Sequence, residues 1–137
     1  ARKRVAELLS MTSLPPGYAR KYPHELSGGE KQRAVISMAV ACSPEFLIAD
    51  EPTSALDVIT QAEVIATLVR MVRDKGMGLL LVTHDLPLAL SISDEMAVMH
   101  EGRLVEKGTP ERITTSPSHA HTRTLLSAFS LTARSEP

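Results

Sequence analysis

Two short apolar runs with one helix-length segment between them constrain the fold of this 137-residue chain more than any other feature. Phe46-Leu47-Ile48-Ala49 runs into Asp50-Glu51-Pro52, and Gly78-Leu79-Leu80-Leu81-Val82-Thr83 runs into His84-Asp85. Runs that are apolar at nearly every position predict strands buried on both faces, as in a parallel sheet. Between them Val58, Ala62, Ile65, Ala66, Val69 and Val72 recur at helical spacing, and Lys75-Gly76 provides a terminal cation and a glycine stop. Strand, helix, strand is a parallel βαβ unit. It carries Asp50-Glu51 and His84-Asp85 to the carboxyl ends of neighbouring strands, the edge at which open α/β sheets bind ligands.

The flanking segments add helices and a hairpin. Residues 2–12 predict a helix with Val5, Leu8, Leu9 and Met11 on its apolar side, broken by Pro15-Pro16-Gly17. Tyr22-Pro23-His24-Glu25 is an extended lead-in. A helix over 28–42 follows, with Val35, Ile36, Met38, Ala39 and Cys42 inward and Pro44 at its end. Past His84 the pattern gives a helix over 86–92, strands near 95–99 and 103–107 turning at His100-Glu101-Gly102, a short helix starting at Thr109-Pro110-Glu111 and another over about 119–129. With only two Phe, two Tyr and no Trp, the core must be aliphatic. A net charge of −1 argues against a nucleic-acid binder that works through bulk positive charge. Cys42 is the single cysteine, so no internal disulfide exists, and its apolar surroundings predict a buried small hydrophobe. No apolar run approaches the ~20 residues a membrane span needs. The basic start Ala1-Arg2-Lys3-Arg4 leads into no signal-type apolar core, and with no initiator Met the chain reads as a fragment or a processed product.

Four places can carry chemistry. Leu26-Ser27-Gly28-Gly29-Glu30 sets two glycines at the start of a helix, where each is about 1 kcal/mol worse than Ala. Ser27 and Glu30 form an S-x-x-E capping box. Either this is an ordinary cap, or the bare first turn lets a phosphate reach free backbone N–H groups. Asp50 at a strand end is either a polar exit or a carboxylate that holds Mg²⁺, usually through water. Glu51 beside it can orient and polarise an attacking water as a general base. His84 is either structural or a contact to a γ-phosphate or its attacking water. Asp57, in Ser54-Ala55-Leu56-Asp57, either caps the following helix or touches a partner subunit.

Leu26–Glu30, Phe46–Pro52, Ser54–Asp57 and Thr83-His84-Asp85 occur in the order and spacing of one family. Over nearly all its length the chain resembles the C-terminal half of an ATP-binding cassette (ABC) transporter ATPase. The resemblance implies an α/β fold, the C-terminal part of a P-loop NTPase (RecA-like) domain with part of the helical signature subdomain. The implied division is 1–44 for the helical subdomain, 45–115 for the ATPase core and 116–137 for an importer-type tail. It implies Ser27, Gly28, Gly29 and Glu30 as the signature loop facing the nucleotide of a partner cassette. Asp50 is then the Mg²⁺ carboxylate, Glu51 the catalytic base, Asp57 the D-loop acid and His84 the switch histidine. Glu30 stands where the family often has Gln. Asp57-Val58-Ile59-Thr60-Gln61-Ala62 and the tail Ser116–Leu126 resemble the peptide and nickel importers, although Ala120 and His121 replace a usual Pro-Tyr. The His119-x-His121 pair lacks a third metal ligand nearby in sequence.

The resemblance further implies ATP and Mg²⁺ as cofactors, and a second cassette, identical or paralogous, as partner. It implies permease subunits, a solute-binding protein acting indirectly, no nucleic acid, and a peripheral place on the cytoplasmic face of the inner membrane. No G-x-x-x-x-G-K-[ST] loop occurs in the chain, so the chain alone is not expected to hydrolyse ATP. The competing reading is a non-hydrolytic module that gives only a signature face to a partner. A chromosome-maintenance or DNA-repair ATPase head would share the signature and carboxylate motifs, but no sustained heptad repeat is present.

Overall fold

The two apolar runs form β1 (Phe46–Asp50) and β2 (Gly78–Val82), paired parallel from Phe46 opposite Gly78 to Asp50 opposite Val82. They belong to a computed structural model that describes residues 1–132; residues 133–137, the end of the tail segment 116–137, lie outside the described residues. The chain divides into two units, 1–83 and 84 onward.

In the first unit, α1 (Arg2–Met11) leads through 3₁₀ turns at Pro16–Arg20 and Pro23–Glu25 to α2 (Gly28–Ala39), and α3 (Val58–Lys75) crosses from β1 to β2. Asp57 caps α3 by accepting the Thr60 N–H at 3.0 Å. At its far end Gly76 turns left-handed (φ 63°) and the Met77 amide returns to the Val72 carbonyl, a Schellman-type closure. The core gathers Leu8 of α1, Ile36 and Val40 at the end of α2, and Val64, Leu68, Met71 and Val72 of α3, with Leu47, Ala49 and Leu79 of the sheet packed against them.

Several inward faces differ from the periodicity reading. Phe46 and Ile48 are 56% and 66% exposed, and Leu80 and Val82 are 48% and 45% exposed, so the β1–β2 pair is covered on one face only. Side chains alternate along a strand, and among the described residues this unit supplies helices to a single side. On α2 the buried positions are Gly29, Ile36 and Ser37, while Val35 and Met38 face out. The helix is turned toward two close contacts. One is Gly29 against α3. The other is a polar knot in which the Ser37 and Thr12 hydroxyls lie 2.6 Å apart and Ser37 also donates to the Leu8 carbonyl. Cys42 is exposed rather than buried, because α2 stops at Ala39 and a turn closed by Ser43 (φ 51°) on the Val40 carbonyl carries Cys42 outside the helix. On α3, Val58, Ala62 and Ala66 face solvent, and Val64, Ile65, Leu68, Met71 and Val72 are buried.

The second unit holds α4 (Leu86–Ile92), β3 (Met96–His100), β4 (Arg103–Gly108), α5 (Pro110–Thr115) and α6 (Ala120–Thr132). β3 and β4 pair antiparallel through a two-residue turn, Glu101 (φ 49°) and Gly102 (φ 73°). Two successive left-handed residues are the signature of a type I′ turn, whose twist matches a hairpin. Thr109 caps α5, accepting the Arg112 N–H at 3.3 Å, and Ile113 anchors it.

Candidate functional site

The capping box between the 3₁₀ turn and α2 is formed in full. Ser27 Oγ accepts the Glu30 N–H at 3.3 Å, and the Ser27 N–H donates to Glu30 Oε2 at 2.8 Å. Glu30 Oε1 accepts the Tyr18 hydroxyl at 2.7 Å. That bond first, and then the Ser27 amide, holds the Glu30 carboxyl below its usual range. Tyr18 carried no signal in the sequence: it lies 12 residues away, in a segment read only as a break.

The two glycines have different physical reasons. A Cβ on Gly28 would sit 3.0 Å from Leu56 Cδ2, and one on Gly29 would overlap the Thr60 Cγ2 methyl. Gly29 is buried in this contact, whereas Gly28 is exposed. The bare turn therefore serves a close approach of α2 to α3 as well as leaving the first-turn N–H groups of α2 open at Gly28. Arg33 and Glu63 tie the same two helices at 3.3 Å. The structure thus brings Ser27–Glu30 together with the segment around Asp57, since Leu56 and Thr60 flank that residue. Asp57 is spent on its cap, and the Thr60 hydrogen bonds keep its carboxyl below the usual range.

Asp50 ends β1 exposed, and Glu51 follows with φ 42°. A non-glycine residue in the left-handed region costs of order 1 kcal/mol or more and persists where its surroundings impose it. Two backbone bonds do so: the Glu51 N–H reaches the Val82 carbonyl of β2 at 2.9 Å, and the Ser54 N–H returns to the Glu51 carbonyl at 3.3 Å. The chain therefore turns sharply at the strand end and sets two consecutive carboxylates on the exposed lip. Asp50 has the hard oxygen donor that Mg²⁺ takes, and its exposure leaves room for the water that ion keeps. His84 belongs to the second unit, exposed, next to Asp85, which caps α4 by accepting the Leu88 N–H at 3.0 Å.

In the second unit Glu106 of β4 is buried and accepts the Ser118 N–H at 2.7 Å, the Ser118 hydroxyl at 2.9 Å and the His119 N–H at 3.1 Å. The nearby Thr122 hydroxyl, outside standard hydrogen-bond geometry, and these donors lower the Glu106 pKa to about 2. His100 stacks on His121 with centroids 3.8 Å apart and lies 6.4 Å from His119, a neighbour the sequence did not reveal. Among the described residues no group of three His, Cys, Asp or Glu is arranged to hold a metal ion.

The chain is similar to several known proteins. The family described as ABC transporter matches residues 1–54. The oligopeptide transport ATP-binding protein OppF of Bacillus subtilis is 45% identical over 129 residues, 94% of this chain and 42% of that protein. The dipeptide transport ATP-binding protein DppD of Haemophilus influenzae is 46% identical, covering 92% of this chain and 39% of that protein. The peptidoglycan transport ATP-binding protein YejF of Agrobacterium fabrum is 47% identical, covering 93% and 24%. The chain spans less than half the length of these relatives. The ATP-binding cassette MJ0796, solved as a dimer in a post-hydrolysis state with ADP and Pi, superposes with a TM-score of 0.67 at 31% identity, covering 79% of this chain and 46% of that one.

Proposed function

We propose that the chain belongs to the ATP-binding cassette family of transporter ATPases and is part of the ATP-hydrolysing subunit of an importer that takes up peptides or related solutes. The peptide transporters among its relatives support the solute class; nickel complexes are a further candidate cargo. In this reading residues 1–44 are part of the helical signature subdomain, 45–115 part of the ATPase core and 116–137 an importer-type tail. Ser27 and the amides of Gly28 and Gly29, with Glu30 closing the turn, face the phosphates of ATP held by a second cassette. Glu51 takes the proton of the attacking water, Asp50 would hold Mg²⁺ through water, and His84, in the second unit, is the candidate contact to the γ-phosphate. Mg²⁺ supplies charge neutralisation on the phosphate oxygens. Asp57 fixes the start of α3, beside the signature turn, where a partner cassette closes. No helix among the described residues is long and apolar enough to cross a membrane, and we place the subunit peripherally at the cytoplasmic face, against permease subunits fed by a solute-binding protein.

The observation that carries this reading is the left-handed Glu51 at the end of β1: local strain at a strand-end carboxylate is where a fold keeps a catalytic group aimed. The second reading is a non-hydrolytic module giving only a signature face to a partner cassette. Steady-state phosphate release separates them. The purified chain should release phosphate no faster than its Glu51→Gln control, and the complex containing it should turn over and lose that turnover on Glu51→Gln. A complex whose turnover ignores Glu51→Gln would favour the non-hydrolytic module.

A further inference from the structure

Glu30 sits at the mouth of the proposed phosphate-facing turn, where a carboxylate is adverse: a negative charge free to swing toward a triphosphate would repel it. The fold restrains both of its oxygens. Oε2 accepts the Ser27 N–H at 2.8 Å and Oε1 accepts the Tyr18 hydroxyl at 2.7 Å. Tyr18 stands on the 3₁₀ turn Pro16–Arg20, entered through Pro15 and Pro16, whose fixed φ makes it stiff. On the ring of Tyr18, 3.7 Å from its centroid, lies the Lys21 ammonium, a cation–π contact that also places a positive charge near the carboxylate.

We propose that Tyr18 is a positioning residue for the Ser27–Glu30 turn: its hydroxyl turns the Glu30 charge back toward the protein, and the fixed carboxylate keeps Ser27 and the following amides aimed at the nucleotide phosphate. The inference rests on the reading of that turn given under Proposed function. Tyr18 and Glu30 are matched chemically. An ionised carboxylate only accepts hydrogen bonds, and with the Ser27 N–H on Oε2 its second oxygen takes a donor from outside the turn, which Tyr18 supplies. An uncharged amide at position 30 would carry its own donor and no repulsive charge, and would need Tyr18 far less.

The test is MgATP turnover by the transporter complex containing this chain, with kcat and KM measured separately. Tyr18→Phe keeps the ring, its packing and the Lys21 contact while removing the hydroxyl. It should lower kcat about 10- to 100-fold, the range expected for losing one charge-assisted hydrogen bond, with KM within about 2-fold. Introduced together with Glu30→Gln, Tyr18→Phe should change kcat by less than about 2-fold relative to Glu30→Gln alone. Equal losses in both backgrounds would reduce Tyr18 to a general packing residue and overturn the inference, as would no loss in either. Ser27→Arg, which fills the turn with bulk and charge, distinguishes the levels. If it blocks turnover while Tyr18→Phe does nothing, only the role of Tyr18 falls; if it leaves turnover intact, the reading of the turn falls and the role of Tyr18 with it.

Discussion

Glu30 and Glu106 perform one physical task in separate units: each carboxylate is held in its charged form first by a hydroxyl, Tyr18 at Glu30 and Thr122 near Glu106, and then by backbone N–H where a helix begins. For Glu106 the consequence is a pH dependence of defined sign. Its pKa falls from an ordinary 4.5 to about 2 on folding, so its contribution is complete above pH 4.5 and disappears as pH drops through about 2. Glu106→Gln should lower the melting temperature at neutral pH and flatten its decline between pH 4.5 and 2, as followed by circular dichroism across that range. A variant that melts like the parent at every pH would show that the carboxylate does not hold the start of α6. At this scale the sequence was partly legible. The S-x-x-E spacing announced the Ser27–Glu30 box because both partners lie within one turn. The Glu106 partners at 118 and 119 and the Tyr18 hydroxyl are brought in by tertiary folding, which no local spacing encodes.

The pairing of α2 with α3 holds the Ser27–Glu30 turn beside Asp57, and it depends on Gly29. The added methyl of Gly29→Ala would meet the β-branched Thr60, which has few rotamers in a helix, and should cost about 1–3 kcal/mol by overpacking. Thr60→Ser keeps the hydroxyl and the amide that serve Asp57 and removes the obstructing methyl. The double variant should therefore recover most of that loss in denaturant unfolding, and equal loss with and without Thr60→Ser would place the strain elsewhere. The existence and order of the elements were legible from apolar period, proline breaks and capping residues: α4 and the hairpin lie where the pattern put them. The inward faces were not. A glycine contact and the buried Ser37–Thr12 pair set the rotation of α2, and hydrophobicity is silent about both. On α3 the alanines at 62 and 66 fit either side of a helix, and Val64, Leu68 and Met71 took the core.

At the scale of the whole molecule, an exposed apolar surface lies on one side of the β1–β2 pair, where Phe46, Ile48, Leu80 and Val82 stand together in the first unit. An exposed apolar sheet face with open edges favours self-association. The chain on its own should sediment as concentration-dependent oligomers, and Ile48→Lys should shift it toward monomer; a parent that remains monomeric at all concentrations would contradict this. The strand sequences were legible as strands, but the apolar run that promised two covered faces finds a cover on one, because burial depends on neighbours a strand cannot specify. The central claim, that the lip of this sheet carries the base of an ATPase, is tested most directly by Glu51→Gln in the assembled transporter. Equilibrium ATP binding should stay within about 3-fold while phosphate release falls by about 100-fold or more, the scale of a lost general base. Turnover within about 2-fold of the parent would contradict the account.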